Sequence, residues 1–133
     1  MMVHFPIAII IVGFLVDIIS LLFSKDKCLP KMGYYLEIIG MVVAITAWGS
    51  GYFFTSPMEG EAGLLRDTHK DWATVTLISI IFATLFRLII TYQKREGTWR
   101  KWVALVLYLV AFASVIVTGF LGGRLVQDFM IGL

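Results

Sequence analysis

Two histidines, His4 and His69, are the only imidazoles in this chain of 133 residues. Each flanks an apolar run. If the runs fold so that both meet at one end, two neutral imidazole nitrogens face each other. That arrangement holds the iron of a b-type haem from both sides of a planar ring. Gly119, Gly122 and Gly123 would leave room for a flat macrocycle, and Arg124, with Arg66 or Lys70, would neutralise its propionates. The plainer reading makes His4 a polar residue at a membrane surface and His69 a cap or loop residue. Met130 or a water would take the second ligand position if only one histidine binds iron. Asp67 and His69, with Glu59, Glu61 and Asp71, form a further candidate set for a divalent metal, but their spacing matches no strong metal motif. Asp67 or Thr68 is better read as the cap of a helix that follows, with Lys70 and Asp71 solvated.

A second constellation is ionic. Asp17, Glu37 and Arg87 each stand within an apolar run, one to two turns from its end. A charge at that depth in a membrane costs a few kcal/mol unless it is paired or snorkels to the surface. The sequence therefore predicts that Arg87 pairs with Asp17, Glu37 or both. Arg87 follows His69 by five helical turns, so both should point the same way. His4 and Asp17 lie about 140° apart on an ideal helix, so both cannot face one axis squarely. Pro6 allows His4 to sit at or before the first turn, which relaxes that conflict.

The elements that must position these groups follow from composition. The chain is 59% hydrophobic and 15% charged, with a strongly positive mean hydropathy. A soluble domain needs more polar surface than this, so the expectation is a single-domain integral membrane protein. Four apolar runs, about 3–23, 32–54, 72–92 and 102–121, are each long enough to cross about 30 Å of hydrocarbon as a helix. Runs of this length must satisfy their own backbone hydrogen bonds, which selects helices over strands. The links are short apart from the polar interval 56–71, read here as a loop. Short links force antiparallel neighbours. The fold class is thus all-α, an up-down-up-down four-helix bundle with the first and third spans diagonal. Pro6, Ile10, Gly13, Asp17 and Ser20 make a small and polar stripe on span one. Glu37, Gly40, Ala44, Ala47 and Gly51 do the same on span two. Such stripes mark close helix approach. Gly119 and Gly123 form one weakly specific G-x-x-x-G pair.

Basic residues set the orientation. Lys25, Lys27, Lys31, Lys94, Arg95, Arg100 and Lys101 share one side, against Arg66, Lys70 and Arg124 on the other. The lysine-rich side is expected to be cytoplasmic, with both termini and the 56–71 interval outside. The opening MMVHFPIAII has neither a basic n-region nor a small-residue cleavage site, so it reads as a retained span. Cys28 is the single cysteine, which excludes an internal disulfide. No P-loop, no Ser/His/Asp set, no paired cysteines and no nucleic-acid footprint are evident. Transport has no broken-helix pair or inverted repeat to support it.

The ends of the chain carry a resemblance. Val3–Ala8 reads V-H-F-P-I-A and is followed by Asp17; Thr118 to Val126 reads T-G-F-L-G-G-R-L-V. With His69 before the third span, this resembles a bacterial and archaeal membrane family, domain of unknown function 2231, over essentially the whole chain. The resemblance implies a small four-span protein of a prokaryotic inner membrane. Its matching positions are His4, Phe5, Pro6, Asp17, His69, Gly119, Gly122, Gly123, Leu125 and Val126. It carries no activity. Related domains occur joined to Rieske or c-type cytochrome modules, which implies electron transfer by association only. The chain departs from many relatives after Val126, where Gln127, Asp128, Phe129 and Met130 replace an aromatic residue and a His-Gly pair. The functional expectation is a small b-type cytochrome-like protein holding haem b near the outer face and exchanging electrons with a membrane or redox partner. The alternative is a cofactor-free scaffold or assembly subunit of a larger membrane complex. Homo-oligomerisation is compatible with both.

Overall fold

The computed structural model describes residues 4–23, 28–54, 60–94, 97–125 and 127. Four helices account for almost all of them: α1 His4–Leu22, α2 Cys28–Phe54, α3 Gly60–Tyr92 and α4 Thr98–Leu125. Each is long and apolar enough to cross a membrane. They pack in chain order as a closed ring, α1 against α2 and α4, and α3 against α2 and α4. Helices α1 and α3 therefore lie diagonally, and the molecule is an all-α membrane bundle.

Helices α2, α3 and α4 overrun the apolar runs that announce them, whereas α1 stays within its own. The largest difference is α3, which begins at Gly60, so most of the interval 56–71 is helix. Residues 56–59 of that interval lie outside the described set. The physical reason is that polarity marks exit from hydrocarbon, whereas helix ends are set by backbone chemistry. Gly60 has φ 73°, a left-handed conformation that favours glycine. Glu61 then places an acid in the first turn, where it complements the helix dipole. Asp67 and Thr68 are not caps: Thr68 Oγ1 donates to Leu64 O at 2.9 Å inside the helix. At the other end α3 stops at Tyr92, and Lys94, in the turn just beyond it, also takes a left-handed φ of 52°. Its amide donates to Thr91 O at 3.2 Å.

The middle of the bundle is apolar and filled. Ile10 and Phe14 from α1, Ala44 from α2, Ile80 from α3, and Tyr108, Ala111 and Val115 from α4 form one buried cluster. Phe14 stacks on Phe112 at 4.5 Å and meets Tyr108 edge-on at 5.6 Å. Large apolar side chains such as Phe5, Leu15, Ile39, Ile78, Phe82 and Phe120 point outward. An apolar exterior of this extent suits lipid and not water.

Candidate functional sites at the two ends of the bundle

At the lysine-rich end, Arg87 of α3 reaches across the interior to α1 and α2. Its Nη1 donates to Asp17 Oδ2 and, at 2.7 Å, to Glu37 Oε2; its Nη2 donates to Asp17 Oδ1 at 2.9 Å. Asp17 thus receives both arms of the guanidinium, and Glu37 receives one. Nη2 also donates to the Pro30 carbonyl at 3.3 Å. Side-chain exposure falls from 19% at Arg87 to 9% at Asp17 and 2% at Glu37, so the cluster is open only on its arginine side.

Two residues absent from the sequence reading shape this part of the bundle. Gly33, one turn before Glu37 on α2, faces Asp17. A Cβ at Gly33 would come within 2.0 Å of Asp17 Oδ1, so only glycine leaves room for that carboxylate. Tyr108 Oη donates to the Ile10 carbonyl at 3.2 Å across the α1–α4 seam. Gly13 makes the space, since a Cβ there would stand 2.3 Å from Tyr108 Oη. Both had weak signals: Gly33 extends the 37, 40, 44 stripe by one step, and Tyr108 is a lone phenol inside an apolar run.

At the opposite end, His69 is a helical residue of α3 turned toward α4. Its Nδ1 lies 3.1 Å from the Thr118 carbonyl. A carbonyl only accepts, so Nδ1 carries the hydrogen and donates. Thr118 Oγ1 also meets Thr76 Oγ1 at 3.1 Å and donates to Ser114 O. A Cβ on Gly122 would stand 3.0 Å from His69 Cε1, so the imidazole already occupies the space that this glycine leaves. Thr118 and Gly122 are therefore, in structural terms, the seat of His69. Gly119 instead faces Ile7 of α1, where a Cβ would stand 3.3 Å from Ile7 Cδ1, while Gly123 adjoins open space. Gly119 and Gly123 thus do not act as one packing face. His4, the first residue of α1, and Arg124, in the last turn of α4, are exposed.

The second seam at this end joins α2 and α3. Trp48 Nε1 donates to Thr74 Oγ1 at 3.0 Å, Trp48 stacks on Tyr52, and Lys70 Nζ lies 4.7 Å over the Tyr52 ring. Glu59 and Met130 fall outside the described residues. No group of three or more His, Cys, Asp or Glu side chains suited to a metal occurs among the described residues.

A family model described as "Predicted membrane protein (DUF2231)" matches residues 1–133. The chain belongs to the DUF2231 family. No curated protein and no solved structure matches this DUF2231 chain. Two parts of the pattern in this DUF2231 member have separate roles: Thr118 and Gly122 of the closing motif seat His69, and Asp17 anchors Arg87 at the far end of the same bundle.

A haem between His4 and His69 meets these residues unevenly. His69 fits an axial ligand, because an Nδ1–H bound to a carbonyl fixes the ring and leaves Nε2 with its lone pair. The glycines fit less well: Ile7 and the His69 ring itself fill the spaces beside Gly119 and Gly122.

Proposed function

We propose that this protein is a cofactor-free scaffold or assembly subunit of a larger membrane complex, seated in a prokaryotic inner membrane with its lysine-rich end in the cytoplasm. The observation that carries this reading is the closed interior. Packed side chains fill the middle, and among the described residues every buried side-chain nitrogen and oxygen has a partner. Buried polar groups paired in this way rigidify a fold and give it a fixed shape. The faces left to interact are the lipid-facing surface and the polar extension of α3. Chemical cross-linking in native membranes followed by mass spectrometry tests the reading. Stoichiometric links from Arg66–Asp71 to another membrane protein support it; links only within the chain count against it.

His69 favours a second reading, a b-type haem site with His4 as the opposing ligand and Arg124 beside the propionates. Haem b would supply one-electron chemistry; the chain would supply ligands and a dry flank. The absorption spectrum of protein purified from a haem-supplemented host separates the two. A Soret band lost in both His4→Ala and His69→Ala establishes the haem reading. A colourless protein that stays empty on haem titration removes it.

A further inference from the structure

We infer that the Asp17–Glu37–Arg87 cluster is a proton-binding site, with one exchangeable proton held on Glu37. The argument is a charge count. Arginine keeps its proton under all conditions a protein meets, so Arg87 contributes one positive charge. Two ionised carboxylates would leave the cluster with one net negative charge. Among the described residues neither carboxylate has a second cationic partner. The neighbours from each helix add no compensating charge: Tyr34 on α2, whose ring lies 6.0 Å from Arg87 Cζ, and Tyr108 on α4, which donates to Ile10 O, are neutral phenols. Lys31, two turns before Glu37, is exposed. A net charge enclosed by lipid-covered helices is strongly unfavourable, whereas a carboxylic acid beside an ion pair is not.

The geometry selects Glu37 as the carrier. Asp17 takes the two-armed contact from Arg87, the arrangement that most favours an ionised carboxylate. Glu37 takes one arm through Oε2 and is the more deeply buried of the two. With the proton on Oε1, Oε2 still accepts from Arg87. A metal cation is the poorer occupant, since the guanidinium already stands between the carboxylates and repels it. The exchange path runs past Arg87, the most exposed member, to the exposed Pro30 carbonyl at the lysine-rich end. The proton therefore comes from, and returns to, water on that side.

Infrared difference spectroscopy of the whole protein in lipid bilayers at pH 7 reads this directly. The expected result is one protonated-carboxyl band per chain. It moves when glutamate carboxyls carry 13C and stays when aspartate carboxyls do. Both Glu37→Gln and Asp17→Asn should abolish it, because each leaves one acid for one arginine. Wild-type protein with no such band, or a band that follows the aspartate label, overturns the proposal. The wild-type and isotope arms need no variant to fold.

Discussion

Arg87 binds carboxyl groups from two different helices, and removing it strands the Asp17 carboxylate and takes the donor from Glu37. Breaking a buried ion pair from one side costs about 3–5 kcal/mol, while replacing the whole set with apolar or neutral groups is often neutral or stabilising. Arg87→Leu is therefore expected to destabilise the bundle by about that amount, read from reversible unfolding in mixed micelles. The triple variant Asp17→Asn, Glu37→Gln, Arg87→Leu should recover most of the loss. An Arg87→Leu protein as stable as wild type would show that the ion pairs contribute nothing. These three residues were legible in the sequence because a charge inside an apolar run is rare and must find a partner. Gly33 and Tyr108 were not. Their roles depend on which side chain arrives from a neighbouring helix, and spacing along one chain carries only a weak signal of that.

Among elements, α4 shows how a motif divides its work. Gly119 faces α1, Gly122 faces α3, and Gly123 adjoins open space. Gly122→Ala must push on the imidazole of His69, and overpacking of this kind costs about 1–3 kcal/mol. Gly123→Ala meets nothing and should change stability by no more than about 0.5 kcal/mol. Equal effects of the two in the same unfolding assay would refute the assignment of Gly122 as the seat of His69. The number and order of helices could be read from the apolar runs, because hydrocarbon thickness imposes a minimum length. The start of α3 could not. Glu61, Leu64, Leu65 and Arg66 are all good helix formers, but their polar company resembled a loop. The stripe on α1 was read almost in full, with Pro6, Ile10, Gly13 and Asp17 all buried. On α2 it holds for Glu37, Gly40 and Ala44 but fails at the exposed Gly51.

For the whole molecule, the orientation proposed from the distribution of basic residues is testable, and the chain supplies its own probe. Cys28 is the single cysteine and is exposed at the start of α2, on the lysine-rich end. A membrane-impermeant maleimide added to intact cells should leave it unlabelled, and lysis should expose it. Labelling in intact cells would reverse the proposed orientation.

The 33 residues of α3 make a rod of about 50 Å. If Tyr92 marks one boundary of about 30 Å of hydrocarbon, an upright α3 carries residues 60–71 about 18 Å past the other. Headgroups cover the first several ångströms, so the tip stands about 10 Å clear in water. Lys70 against Tyr52, Trp48 against Thr74 and His69 against Thr118 brace its base on two sides. A post fixed in this way works as a ruler. Whatever rests on the exposed Asp67 is held at a set height above the lipid.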